Sequence, residues 1–179
     1  MPAFDPFNDR LARDIRNELS TAFIAGLHAG SLSGVEELAA AHTGRGDVYD
    51  GYIADRLRRY RLVLAASDPG HGEPLELFCR LWNGGLFFET HELLEEMWHT
   101  AAGSRKRALQ ALIRAAGCYI HLEQNHLKAA MSMAAKARRG LLDNRTALPP
   151  WFETQALLDC LRQPQTTPPQ LPCRREEHR

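Results

Sequence analysis

His91 and Glu95 stand one helical turn apart in the stretch Trp82 to His99, WNGGLFFETHELLEEMWH. At that spacing the two side chains lie next to each other on one face of a helix. With about 100° per residue, Phe87, Phe88, Leu94, Glu95 and Trp98 all fall within roughly 60° of His91. The wheel therefore places an imidazole and a carboxylate in the middle of an apolar face. Glu89 and Glu96 point the opposite way, towards solvent, and Glu92 and His99 occupy the flank. A helical bundle does not bury such a pair without giving it partners.

The helix expected from Arg105 to about Gln124 offers those partners. Beside its apolar arc of Leu109, Ile113, Ala116 and Ile120 runs a line made of Gln110, Arg114, Gly117 and His121, spaced four, three and four. Across a short turn at Gly103 and Ser104 an antiparallel hairpin is the usual outcome, and that line would then face His91 and Glu95. Three chemistries compete for His91, Glu95 and His121. One is a hydrogen-bonded network in which Glu95 fixes an imidazole tautomer while Gln110 and Arg114 satisfy what remains. Another is a metal site, because two histidines and a carboxylate form the ligand set of facial-triad iron and of some catalytic zinc sites. Against it stand a single close-spaced ligand pair and the nearby positive charge of Arg114. The third is metal-free acid–base catalysis or small-molecule binding, with Glu95 tuning His91 and Arg114 or Gln110 holding an anionic group.

Other patterns carry less. The fifth position of the motif is Glu95, so HExxH zincin chemistry is excluded. Glu96 with His99 and Glu123 with His126 repeat the ExxH spacing of di-iron bundles. However, Glu96 lies on the polar side of its helix and the second pair straddles an expected break. No nucleophile stands out: Cys118 sits roughly 60° round the helix from His121 and reads as a buried structural cysteine. Trp98, Met131 and Met133 read as core.

The elements that must position these residues are all helical. Leu11, Ile15, Leu19, Phe23 and Leu27 predict a helix over 8–28; a short helix from Val35 to His42 follows, with Ser33 as its cap. Asp47 opens a third helix to about Ala66, turning Tyr52, Ile53, Leu57, Tyr60 and Leu64 inward. On it Arg58, Arg59 and Arg61 lie off that face, with Arg56 at its edge; they read as a solvated face with partners such as Asp55, the alternative being a patch for an anion or an acidic partner. The run Ser67–Pro74 is a loop by every turn signal. Helices are then expected over Leu75–Asn83, through the HELLEEMW motif to about Ala102, over Arg105–Gln124, over Leu127–Asp143 after a break at Asn125 and His126, and over Trp151–Leu161. No alternating run or hairpin dipeptide suggests a strand.

The fold expected is all-α: a single-domain multi-helix bundle with an N-terminal helical extension (1–66) packing on a core (75–162), and a disordered tail (163–179) with almost nothing to bury. The 179 residues suffice for a real core. Twenty-two basic residues against 22 acidic ones give zero formal net charge, which argues against general nucleic-acid binding. No apolar run reaches bilayer length and MPAFDPFNDR is no signal peptide, so a membrane is not expected. Four scattered cysteines without a CxxC spacing fit reduced thiols in the cytoplasm.

The segments WNGGLFFETHELLEEMW, LQALIRAAGCYIH, and the NH and AA of NHLKAA resemble the bacterial and archaeal domain-of-unknown-function family 309. Its signature runs Phe-Asn, His-Glu-x-Leu-Glu-x-x-Trp, Leu-Gln-x-Leu-Ile, then His followed by Gly-Asn and Gly-Ala. The likeness covers about residues 75–142. It places His91, Glu92, Glu95, Trp98, Gln110 and His121 at motif positions and matches Asn83 to the asparagine of Phe-Asn. Trp82 replaces the phenylalanine, and Asn125-His126 stands where the family has Gly-Asn; Asn125 tolerates the left-handed turn nearly as glycine does. The resemblance implies a compact helical bundle and names no activity. The reading carried forward is a buried His91/Glu95/His121 cluster that serves as a structural network or small-ligand pocket with Asn83, Glu92, Trp98, Gln110, Arg114 and Asn125 around it. The alternative is a metal-dependent hydrolase or oxygenase using the same three residues on one divalent transition metal; absence of any cofactor is the plainer expectation. A small-molecule ligand and homo-oligomerisation remain open.

Overall fold

Ala12, Ile15, Leu19, Phe23 and Leu27 recur at helical spacing and are all buried, which makes helix α1 (Arg10–Ala29) one-sided. The computed structural model describes residues 4–67, 73–164 and 167–173. Asp9 caps α1 by accepting from the Leu11 N–H, and Gly30 ends it in the left-handed conformation at φ 68°. Helices α2 (Ser33–His42) and α3 (Asp47–Ala65) complete this half of the chain. Ser33 is the first residue of α2 and not its cap; the cap position belongs to Leu32, which makes no side-chain capping bond. Phe23 of α1 stacks on Tyr60 of α3 with ring centroids 3.8 Å apart. Arg58, Arg59 and Arg61 of α3 form a paired face: Arg58 and Arg59 both reach Asp55, at 2.8 and 2.7 Å, and Arg61 reaches Glu36 at 2.8 Å. Such exposed pairs contribute little stability. Arg56, expected at the edge, is buried, with its guanidinium 4.9 Å over the Tyr52 ring.

The chain divides into two compact units, Met1–Gly72 and Glu73–Arg179, with the division inside the expected Ser67–Pro74 loop, of which 68–72 lie outside the described residues. The second unit holds α4 (Pro74–Asn83), α5 (Phe87–Thr100), α6 (Gly103–Glu123), α7 (Leu127–Asn144), a 3₁₀ turn (Arg145–Ala147) and α8 (Gln155–Cys160). Pro74 occupies the start of α4, where a missing N–H costs nothing. Gly103 opens α6 at φ 60°, so the turn after α5 needs only two residues and Ser104 lies inside the helix. Asn125 takes the left-handed conformation at φ 57° and makes the α6–α7 turn, as its side chain permits. The last helix begins at Gln155 and not at Trp151, since Trp151 and Phe152 sit in a turn in which the Phe152 N–H bonds to the Pro149 carbonyl at 2.9 Å. The described residues are thus all-α, with eight α-helices and no strand.

Two features fix α6. An aromatic cluster joins it to α4 and α5: Tyr119 meets Trp82 edge-on at 5.0 Å and stacks on Phe87 at 4.9 Å. On its other side α7 comes very close, because a Cβ built on Gly140 would lie 2.8 Å from the Cβ of Ala111. The tail expected at 163–179 is partly outside the described residues (165–166 and 174–179). Its described stretch, 167–173, lies along α4, where Leu171 is buried and the Trp82 indole N–H donates to the Pro169 carbonyl at 2.9 Å.

Replacing a mid-helix glycine by alanine ordinarily stabilises by about 0.5–1 kcal/mol. Gly117→Ala should do so, because only the Met133 sulfur lies within reach, at 4.0 Å. Gly140→Ala should instead destabilise by about 1–3 kcal/mol through overpacking against Ala111. Urea denaturation midpoints of the two variants, moving in opposite directions, check this packing.

Candidate functional site

Helix α5 is rotated relative to the wheel drawn from its sequence. Its buried residues are Phe87, Glu89, Thr90, Leu93 and Leu94, so the core face centres near Thr90 and Leu94. His91 and Glu95 lie on the rim, their side chains 26% and 47% exposed, and the cluster is half-exposed where the sequence suggested a buried one. The difference traces to Phe88 and Trp98, which are only half-buried and so do not define the core side. Glu89, expected in solvent, is fully buried; it occupies the first turn of α5, where the helix dipole favours a carboxylate.

On this rim His91 keeps two acidic neighbours. Its Nδ1 is 3.4 Å from Glu92 Oε1 and its Nε2 is 3.8 Å from Glu95 Oε1. The His91 Nδ1 atom is buried and makes no hydrogen bond. One ligand atom from each of His91, Glu92 and Glu95 lies within 4.8 Å of the others, the one such histidine, cysteine or carboxylate trio among the described residues. The expected third member, His121, is not in it. Two contacts give the α5–α6 register: Lys106 Nζ sits 4.0 Å over the Trp98 ring, and Phe87 stacks on Tyr119. His91 is therefore level with about Arg114, and His121 lies roughly 10 Å further along the axis at 1.5 Å per residue. Glu92 takes its place in the trio. A wheel hides this residue because it plots backbone directions only, whereas a glutamate's three torsions let its carboxylate swing back to a neighbouring face.

His121 pairs instead with His126, ring centroids 5.8 Å apart, and burial together with that second imidazole holds its pKa below the ordinary 6.5. Arg114 and Gln110 also face elsewhere. With Arg107, Lys136, Arg139 and Asn144 they line a groove of about 500 Å³ between α6 and α7, and among the described residues no cation lies within 4.0 Å of Glu95. The line Gln110–Arg114–Gly117 thus borders α7 and not the His91 face, as the Met133 sulfur beside Gly117 also shows. Asn125 lines a separate shallow hollow with His126, Leu127 and Lys128. Asn83 is occupied at the tail: its amide donates to the Leu171 carbonyl and accepts from the Leu171 N–H, each at 2.8 Å. Trp98 is half-buried under Lys106, and its indole N–H makes no hydrogen bond. Of the methionines read as core, Met131 is 50% exposed. Cys118 is buried and its thiol is pushed up to about 12, chiefly by burial, as an inert structural cysteine should be.

Residues 75–133 match the family model described as a domain of unknown function, DUF309. This segment is a DUF309 domain. The match begins with α4 and ends inside α7, about nine residues before the expected limit of 142. It contains the α5 trio, the Gln110 and Arg114 side of the groove, and both His121 and His126. No curated protein and no solved structure matches the chain. No helix among the described residues is long and apolar enough to cross a membrane.

The folded DUF309 domain takes a proton at His121 less readily than the unfolded chain does, so the unfolded state binds more protons below pH 6.5 and stability falls as pH drops through that value. Histidine NMR titration should place the His121 midpoint below 6.5. His126→Gln should raise it part of the way, because burial is the larger cause. A midpoint unmoved by that substitution would contradict the pairing.

Proposed function

We propose that the DUF309 domain binds one divalent transition-metal ion through His91, Glu92 and Glu95. The observation that supports this most is the state of the trio: three donor atoms within 4.8 Å, joined to each other by no hydrogen bond among the described residues. An architectural network would satisfy its members. These three are gathered and half-exposed, and the buried Nδ1 of His91 makes no hydrogen bond. One imidazole nitrogen and two carboxylate oxygens suit zinc, iron or manganese. Because all three ligands come from one face of one helix, further coordination positions point outward to solvent. That arrangement suits a metal that polarises a bound substrate or water better than one that only holds a fold, and it supports a metal-dependent hydrolase or oxygenase as the class of activity. The cytoplasm, with its reduced thiols, fits the four free cysteines. Self-association would use α7, where Leu127, Met131 and Leu142 are 43–63% exposed.

Elemental analysis of protein purified without chelator should return close to one transition metal per chain. Titrating the chelator-treated protein with Co²⁺ or Zn²⁺ should show one site that His91→Ala or Glu95→Gln weakens more than tenfold. Both variants should keep the wild-type melting temperature within about 2 °C when metal-free, since a half-exposed, unbonded trio contributes little to folding. A large fall in melting temperature with no loss of metal affinity would mean that the trio is architectural.

A second reading, a small-ligand site, has its own support in the α6–α7 groove. Arg107 and Arg114 from α6 and Lys136 and Arg139 from α7 bring four positive charges to the groove, with Asp143 the only carboxylate lining it. The Arg107 Nε donates to Asn144 Oδ1 at 3.0 Å, which leaves its terminal nitrogens for a ligand. A multiply charged phosphate or carboxylate compound is the class such a groove takes. Pyrophosphate binding followed by calorimetry should weaken about tenfold in Arg114→Ala and decline with added salt. Unchanged binding in that variant would remove the groove from consideration.

A further inference from the structure

Cys79 is fully buried on α4, and Cys173 is half-exposed at the end of the described tail stretch. Little in the sequence links them, but Asn83 brings them together. One turn after Cys79, it grips the Leu171 backbone at both its N–H and its carbonyl, much as a neighbouring strand would. Leu171 is buried beside this grip, so the chain is fixed two residues before Cys173. The Asn83 amide also donates to the Cys173 sulfur at 3.4 Å, the Cys173 thiol itself reaches the Leu171 carbonyl at 3.8 Å, and Cys79 lies close enough to bear on the same sulfur. The Cys79 thiol, the positive charge of Arg80 and the Asn83 amide all favour charge on Cys173 Sγ, while burial and Glu76 act the other way. Such an environment stabilises a thiolate. The Cys79 bond comes first among the causes that bring the Cys173 thiol down to about 7, and the same bond, with burial, pushes Cys79 up.

We propose that Cys79 and Cys173 form a thiol–disulfide exchange site, with Cys173 the attacking sulfur and Cys79 the resolving one. The oxidant is a low-molecular-weight disulfide such as glutathione disulfide. The Cys173 thiolate attacks one of its sulfurs, a mixed disulfide forms, and one glutathione leaves as thiolate. Cys79 then gives up its proton and attacks the Cys173 sulfur, and the second glutathione leaves. Two protein thiols are oxidised to one disulfide, and one glutathione disulfide is reduced to two thiols. The half-exposed sulfur meets solvent and the buried one waits behind it, the order this chemistry needs. Oxidation ties the tail covalently to α4, at the start of the DUF309 domain; reduction leaves it held by the Asn83 grip, the Pro169 contact and the burial of Leu171. The site is independent of the metal reading, since none of its groups belongs to the α5 trio.

The test uses the full-length protein. Reduced chain is exposed to glutathione disulfide, quenched with acid, alkylated, digested and mapped by mass spectrometry. Cys79–Cys173 should be the linked pair, with Cys118 and Cys160 left alkylated. Cys79→Ser should stop at a glutathione adduct on Cys173. Cys173→Ser, a change at a half-exposed site that leaves the core untouched, should give neither link nor adduct at Cys79. Without any variant, Cys173 in the wild-type chain should react with iodoacetamide at pH 7 roughly tenfold faster than an ordinary thiol, and Asn83→Ala should slow it. An adduct at Cys79 before Cys173, no linked peptide from the wild type, or a Cys173 rate equal to that of a free cysteine would each overturn the proposal.

Discussion

The interaction on which the second unit, Glu73–Arg179, depends is the approach of α7 to α6 at Ala111 and Gly140. A helix has one circumference, and whatever part of it one neighbour claims is lost to every other. Because Gly140 carries no side chain, the α7 backbone comes down onto Ala111 until no room for a Cβ remains. That draws the side of α6 bearing Gln110, Arg114 and Gly117 to the border with α7. The opposite side, with Tyr119, is left for the aromatic contacts with Phe87 and Trp82. The polar line of α6 therefore became a wall of a cationic groove, while the acidic rim of α5 was left half-exposed with no arginine among the described residues in an ion pair with it. Two chemically opposite surfaces follow from one close helix contact.

That constraint also separates what the residues alone disclosed from what they did not. Helix existence was plain, because the apolar positions of α1, α4 and α6 repeat at helical spacing and Pro74, Gly103 and Asn125 punctuate the chain in ways only certain backbone conformations allow. The close pairing of His91 with Glu95 was plain too, since four residues on one helix fix it locally. What failed was rotation about the helix axis. Phe88 and Trp98 are large and apolar and read as core, yet a Trp roofed by Lys106 at a hairpin tip buries only part of its surface. Thr90, which looks polar, is buried because its hydroxyl bonds back to the Leu86 carbonyl at 2.6 Å. An error of about 100° in the face is enough to turn a buried network into an exposed trio.

The choice of His121 over Glu92 failed for a different reason. Adjacency along an antiparallel hairpin depends on distance from the turn, and a His at 121 is too far from the turn to face residue 91. Counting outward from the two-residue turn at Ala101 and Ala102 would have matched His91 to the middle of α6. Angle about the helix axis alone puts His121 in line with His91; position along the axis does not. His121 found its partner across the next turn, where Asn125 reverses the chain and sets His126 beside it.

Asn83 shows how a motif position can serve a segment that the motif does not contain. It ends α4, where Gly84 and Gly85 carry the chain away, and a side chain at a helix terminus has neither a core neighbour nor a helical hydrogen bond to satisfy. An amide there has a donor and an acceptor free in one plane, the pattern of a peptide backbone. Any extended segment passing α4 can be gripped by it, and 167–173 is that segment here. With Leu171 filling the apolar space beside it, the grip combines burial with two directional bonds. The tail's composition gave no hint of this because its one useful hydrophobe sits among prolines and polar residues. Its anchoring comes from the domain it meets and not from any propensity of its own. The same grip sets the position of Cys173 beside Asn83, so the downward shift of its thiol belongs to the docked state: a chain in which Leu171 is not held loses the Asn83 contact to that sulfur.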